Sequence, residues 1–260
     1  MELLKGKKIL ITGITNQRSI SYGIAKSFFQ QGATLAFTYL SKKNQKYIYN
    51  IAKEFNSNIV LKCNFLNDNN IKKLFINLLK YWKTFDGFIH SIAYASKNQF
   101  QKDYISSINY QNFNIAHNIT SYSLVSMVKE SKKYLNNHSS IVTLTYLGSK
   151  QAIPYYNVMG LAKASLESNV RYIANVIGRQ KLRINAISVG PMKTISTYNI
   201  KNFNKILSYS AKYSPIHRLV TLEEVGNTAV FLSSNLSTGI TGQVIYVDGG
   251  LSISMMNHTL

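Results

Sequence analysis

The stretch Lys7-Lys-Ile-Leu-Ile-Thr-Gly13-Ile-Thr-Asn-Gln-Arg-Ser19-Ile20-Ser-Tyr-Gly23 decides the fold. A short apolar run ends on a glycine, a polar loop follows, and a serine opens a helical pattern with a second glycine one turn in. Apolar runs of this length, bounded by turn residues, read as buried strands. The expected order is therefore a strand over Lys7–Thr12, a turn, and a helix near Ser19–Gln31. Gly13 suits the sharp turn, Ser19 a helix cap, and Gly23 close packing against a neighbouring element. Free amides at such a helix start would face a pyrophosphate. The spacing is not G-x-G-x-x-G, and a strand, turn and helix carrying Gly and Ser is common, so the rest of the chain has to weigh in.

It does so by repeating the alternation. Further strands are expected at Ala33–Thr38, Asn58–Cys63, Asp86–Ser91, Ser139–Thr145, Leu182–Ser188 and Gln243–Val247. Between them lie a lysine-rich helix, amphipathic Ile71–Trp82, a helix near Asn112–Tyr134, a helix beyond Tyr146, and Leu222–Leu232. Strands alternating with helices of this length form right-handed βαβ units and a parallel sheet covered on both faces. No repeat, linker or low-complexity segment marks a boundary. The fold expected is α/β: a single doubly wound, Rossmann-like domain over residues 1–260 with a seven-stranded parallel sheet.

Composition narrows the functional class. The 260 residues are 45% hydrophobic, ordinary for a globular protein that buries a full core. No apolar run reaches the roughly eighteen residues needed to cross a bilayer, so no membrane insertion is expected. Met1-Glu-Leu-Leu-Lys-Gly-Lys-Lys leads directly into a strand, and the one cysteine, Cys63, fits a reducing compartment; the expected location is cytoplasmic. Thirty basic against ten acidic side chains give +20, which invites a nucleic-acid partner. The lysines are dispersed among Asn, Ile and Tyr, however, with no basic run longer than a pair and no nucleic-acid-binding signature. No nucleic acid is expected, and no metal. A positive surface of this kind would steer an acidic protein carrying the substrate.

A chemical constellation stands in Tyr156-Asn-Val-Met-Gly-Leu-Ala-Lys163, with Tyr146 ten positions upstream. Seven positions approach two helical turns, so phenol and ammonium are expected on one helical face. A phenol is a weak acid with a pKa near ~10. A neighbouring cation favours its phenolate and makes the hydroxyl a better donor to a developing oxyanion. Such a pair beside a nicotinamide suits hydride transfer.

Taken together, Gly13-x5-Ser19-Ile20-x2-Gly23, Tyr146…Tyr156-x6-Lys163, Ile187-Ser-Val-Gly-Pro191 and Val247-Asp-Gly-Gly250 resemble the NADH-dependent enoyl-acyl-carrier-protein reductases of bacterial fatty acid synthesis. These are a divergent branch of the short-chain dehydrogenases/reductases. The likeness spans the chain, including Phe37-Thr-Tyr39, His90-Ser-Ile92 and the approach Ala152-Ile-Pro to the tyrosine. Ordinary members of the superfamily place tyrosine four before the lysine, where this chain has Met159.

The resemblance implies roles. Tyr156 would donate to the thioester carbonyl and stabilise the enolate formed when hydride adds at the β-carbon. Lys163 would hold the nicotinamide ribose, and Tyr146 would be the second active-site tyrosine, shaping the acyl pocket. Gly13, Ser19 and Ile20 match the pyrophosphate turn. Leu40, Asn64 and Phe65 match the adenosine end, and Ile92 with Met192, Lys193, Thr194, Ile195 and Ser196 the nicotinamide end. Ala95, Met159, Ile200 and Phe203 would line the substrate site, with 192–210 forming a loop and helix that cover it. Lys201 and Lys205, one helical turn apart, would face an acidic acyl carrier protein. A homotetramer is implied as well.

Departures from the family pattern fall at the cofactor. Leu40 replaces a polar residue beside the adenosine ribose, Asn64 an aspartate that accepts from adenine, and Ala93 a glycine. Lys42 and Lys43 follow the second strand with no acid to repel a 2′-phosphate, so NADH is the cofactor expected while NADPH stays open. Two other readings compete. A β-ketoacyl or carbonyl reductase on the same fold would want a serine in the fifth-strand loop, where Thr145-Tyr146 stands, and a tyrosine in place of Met159. A charged scaffold without activity would have no reason to keep the Tyr156/Lys163 pair.

Overall fold

The computed structural model describes residues 2–195 and 197–254. Seven strands run β1 Lys8–Ile11, β2 Thr34–Tyr39, β3 Val60–Lys62, β4 Phe85–His90, β5 Leu135–Thr145, β6 Arg183–Val189 and β7 Val244–Val247. The helices are α1 Ile20–Gln30, α2 Lys42–Glu54, α3 Asp68–Leu78, α4 Tyr104–Ser107, α5 Tyr110–His117, α6 Ser123–Ser131, α7 Val158–Ile177, α8 Phe203–Tyr213 and α9 Leu222–Ser233. All strands pair in parallel in the order β3-β2-β1-β4-β5-β6-β7. The expected α/β architecture, a Rossmann-like seven-stranded sheet, is the one found.

Alternation of side chains along each strand feeds two cores. Leu10 faces one, with α3, α6 and α7 supplying Leu74, Leu124 and Leu166. Ile9 and Ile11 face the other, where α1, α2 and α9 supply Phe28, Ile51 and Val225. Strands so buried on both sides read as the continuous apolar runs seen in the sequence.

Three boundaries differ from expectation, each for a local reason. The helix expected near Asn112–Tyr134 is broken: α5 starts two residues earlier, where Asn109 accepts the Asn112 amide, and a π turn over Asn118–Tyr122 separates it from α6. Hydroxyls crowd that turn, with Ser123 Oγ donating to the Ile119 carbonyl and Ser121 Oγ 2.7 Å from Ser165 Oγ. Such side chains compete with the regular ladder and widen it. β5 begins at Leu135 instead of Ser139, because Leu135 pairs with Phe85 before an irregularity sets Ser140 opposite Gly87. α3 ends at Leu78, and Trp82 packs into the core from the turn beyond it. Among the described residues no helix is long and apolar enough to cross a membrane.

Candidate active site

The strand order reverses between β1 and β4, and ligands of such sheets bind outside the carboxyl ends of the strands at that crevice. Gly13 ends β1 there with φ 82°, and a Cβ would drive into the Ser91 carbonyl at the end of β4. Only glycine lets the two strand ends close up. Ser19 occupies the N-cap of α1, but its hydroxyl turns back: Oγ accepts from the amides of Thr15 and Asn16, both at 3.1 Å. The expected cap is thus a loop brace. The Tyr22 amide donates to the Ser19 carbonyl at 3.0 Å, while the Ile20 and Ser21 amides, first in α1, have no intrahelical acceptor and suit an anion.

Tyr156 and Lys163 do not share a helical face. α7 starts at Val158, and Tyr156 lies in the preceding turn between Tyr155 (φ 61°) and Asn157 (φ 44°). Two residues on the positive side of φ hold Tyr156 out of the helix expected to carry it. Turn and helix still converge, because Gly148 and Gly160 admit close approach beneath the Tyr156 ring. Tyr146 follows β5 and meets Tyr156 edge-on, with centroids 5.0 Å apart at 74°.

Lys163 is only 6% exposed, and its ammonium donates to the Leu144 carbonyl at 2.8 Å. That is its one side-chain hydrogen bond among the described residues, although an ammonium carries three donors. Burial pushes the ammonium down to about 8, partly offset by Glu167. Glu167, one turn along α7, accepts from Thr145 and Ser149 hydroxyls at 2.7 and 2.5 Å. His90 is fully buried behind the site, 2.9 Å from Thr143 Oγ1 and 2.8 Å from Ser123 Oγ, and burial together with the Lys163 charge pushes its imidazole down to about 3.

Both phenols are pushed up. Tyr146 rises to about 12 through burial, and Tyr156 rises further through burial and then the neighbouring Tyr146. Lys163 does not draw Tyr156 toward its phenolate, as the sequence reading expected. Desolvation dominates, so Tyr156 keeps its proton and remains a neutral donor.

An apolar cluster adjoins the two tyrosines and gathers Met159, Ile200, Ala95 and Phe203, all four residues expected on the acyl side, with Phe100, Ala116, Val158, Tyr155 and Tyr156. Phe100 and Ile108 come from the stretch before α5, and Phe113 from α5 itself. Met159 is buried, with the Thr120 hydroxyl 3.9 Å from its sulfur.

The remaining expected residues are placed as follows. Ile20, Ile92 and Met192 are half-buried around the strand ends; Thr194 braces Thr197, accepting from its amide at 3.3 Å; Lys193 and Ile195 are exposed. Ser196 lies outside the described residues. Leu40 is 59% exposed after β2. Phe65 is buried, while the Asn64 carboxamide oxygen accepts from the Leu66 amide at 3.1 Å. Lys201 precedes α8, so it is not on one helix with Lys205; its ammonium lies 5.2 Å over the Tyr155 ring. The sequence assigned no role to Glu167, Asn157 or His90, although His90 stood within the family likeness and the Lys163/Glu167 spacing of four was a usable signal.

The family model describing enoyl-acyl-carrier-protein reductases matches residues 13–252. The chain is 53% identical over 259 residues to the NADH-dependent enoyl-acyl-carrier-protein reductase of Buchnera aphidicola subsp. Baizongia pistaciae, covering 100% of both chains. It is 49% identical to the Escherichia coli enzyme of the same name, over 99% of this chain and 98% of that one. Among solved structures, the NADH enoyl-acyl-carrier-protein reductase of Aquifex aeolicus superposes with a TM-score of 0.94 at 46% identity, covering 96% of this chain and 98% of that one. The Anaplasma phagocytophilum reductase, solved in complex with NAD, superposes with a TM-score of 0.94 at 35% identity, covering 99% of this chain and 98% of that one.

Proposed function

We infer the roles of the site residues from one premise: the chain belongs to the NADH-dependent enoyl-acyl-carrier-protein reductase family. The reaction is reduction of the trans-2 double bond of an enoyl thioester on acyl carrier protein, the last reductive step of fatty acid elongation. NADH, when bound, supplies the hydride. Three features of this chain fit it: the Gly13 turn closed on Ser91, the Ile20 and Ser21 amides at the start of α1, and a buried Lys163 with donors to spare. Gly13, Ser19 and Ile20 would hold the pyrophosphate, Leu40, Asn64 and Phe65 the adenosine, and Ile92 with 192–196 the nicotinamide end. Lys163 would hold the ribose hydroxyls.

Tyr156 then donates its retained proton to the thioester carbonyl as negative charge grows there. A neutral donor in a desolvated site stabilises the enolate most where water is excluded. Tyr146 braces the Tyr156 ring edge-on and shapes the acyl entrance. The observation that carries this reading is the apolar cluster joined to Tyr156: Ala95, Met159, Ile200 and Phe203 make a greasy wall for an acyl chain beside a protonated phenol. Residues 192–210 form its cover, and the single domain spans 1–260. Acyl carrier protein, acidic, approaches a protein of charge +20. Leu161, Tyr172 and Val176 stand exposed along one side of α7, an apolar face that a homotetramer would cover.

Following NADH oxidation with a crotonyl thioester and, separately, an acetoacetyl thioester tests the reading. Turnover with the first and none with the second is expected. Preferential reduction of the ketone would overturn it in favour of a carbonyl reductase.

A further inference from the structure

We propose that Asn157 is a positioning residue that fixes Tyr156 for catalysis by clamping the turn around it to the loop before α5. The proposal rests on the enolate-stabilising role given to Tyr156. Asn157 has φ 44° and ψ −124°, a conformation that side-chain-bearing residues rarely adopt, and Tyr155 on the other flank has φ 61°. Strained backbone persists where its surroundings over-determine it. Here the determinant is the Asn157 carboxamide: Nδ2 donates to the Gln99 carbonyl at 2.7 Å, the Lys102 carbonyl at 2.9 Å and the Ser107 hydroxyl at 3.1 Å. Two N–H groups share three acceptors, all between Gln99 and Ser107, on a loop that runs into the short helix α4.

That loop is itself held. Gln99 is 1% exposed and its side-chain Nε2 donates to the Ser107 carbonyl, while Asp103 Oδ1 accepts the Ser106 backbone amide at 3.0 Å. Its far side grips the stretch before α8: the Lys201 amide donates to the Phe100 carbonyl at 3.2 Å and the Gln101 side chain to the Asn199 carbonyl at 2.8 Å. The Lys201 ammonium over Tyr155 closes the ring. Tyr156 is thus centred in a bracket that also holds Ile200, a wall of the acyl cluster.

The side chain requirement is narrow. Glycine would suit the backbone angles but supply no clamp, and aspartate would keep the shape while turning a carboxylate against two carbonyl oxygens. The test uses the full-chain enzyme with crotonyl thioester and NADH, comparing Asn157→Gly, Asn157→Asp, Ser107→Ala, Tyr156→Phe and the double variant Tyr156→Phe/Asn157→Gly. Each Asn157 variant is expected to lose about tenfold or more in kcat, with NADH affinity within about twofold of the parent. Ser107→Ala, which removes one acceptor of three, should lose a smaller factor. The double variant should be no slower than Tyr156→Phe alone, because a positioning residue has nothing to position once the hydroxyl is gone. Effects that multiply in the double variant, or an Asn157→Gly enzyme at parental kcat beside a slow Tyr156→Phe enzyme, would overturn the role of Asn157. A Tyr156→Phe enzyme as fast as the parent would instead overturn the enolate assignment, and this proposal with it.

Discussion

Gly148 sits in the turn after Tyr146 with the Tyr156 ring against it. A Cβ there would lie 2.5 Å from Tyr156 Cδ1, 2.9 Å from Cε1 and 3.3 Å from Tyr146 Cδ1. Relaxed carbon–carbon contacts begin near ~3.5 Å, so in Gly148→Ala the Tyr156 ring must retreat by about 1 Å. The backbone accepts alanine, because Gly148 does not lie on the positive side of φ. The damage is therefore a displacement of the donor. A misplacement of about 1 Å costs on the order of 100-fold in rate. Overpacking costs roughly 1–3 kcal/mol of stability, at ~2–4 °C of Tm per kcal/mol for a chain of this size. The assay is NADH oxidation with a saturating enoyl thioester, alongside a thermal melt and an NADH titration. Expected are kcat down by about 100-fold, Tm lower by several degrees, and NADH affinity unchanged. A Gly148→Ala enzyme with parental kcat would refute the placement of the Tyr156 ring as the rate-determining contact.

Other perturbations follow from the same geometry. Lys163→Met should raise the NADH Kd and lower kcat together; a loss of kcat at unchanged Kd would remove Lys163 from the ribose. Because burial brings the Lys163 ammonium down to about 8, kcat/KM for NADH should decline above that pH, and a flat profile through pH ~10 would contradict the need for its charge. His90 is depressed from the usual histidine value to about 3, so the unfolded chain takes up its proton first as the pH falls. Its contribution is thus whole above pH ~6.5 and drains away toward 3, at up to ~1.4 kcal/mol per pH unit. Urea midpoints should fall between pH ~6.5 and 4.5, above the range of ordinary carboxylates, and His90→Gln should flatten that slope. Lys205→Glu should raise KM for carrier-linked substrate at low salt and leave a coenzyme A thioester unaffected; equal effects on both would take Lys205 out of carrier docking.

The sheet was legible because its strands are buried on both faces and so stand out as apolar runs such as Lys8–Ile11 and Arg183–Val189. The first nucleotide turn was legible in Gly13 and Ser19, although the direction of the Ser19 hydroxyl was not: a cap and a loop brace use the same residue in the same place. The acyl wall was reached through resemblance at Ala95, Met159, Ile200 and Phe203, and the cluster unites them. What escaped was conformation without period. Tyr155 and Asn157 take positive φ with no glycine to announce it, so Tyr156 was drawn onto a helix that starts two residues later. The loop carrying Gln99, Phe100 and Ser107 is specified by tertiary hydrogen bonds to Asn157, which no local pattern encodes. Burial likewise set the Tyr156 and Lys163 ionisations, against the mutual activation that sequence adjacency suggested.

The central claim, that the Tyr156 hydroxyl stabilises the enolate, is tested most directly by single-turnover reduction of a crotonyl thioester by Tyr156→Phe enzyme preloaded with NADH. Loss of one donor to a developing oxyanion predicts a reduction step slower by roughly 100- to 1000-fold with NADH affinity unchanged. Reduction at the parental rate by the phenylalanine enzyme would contradict the account.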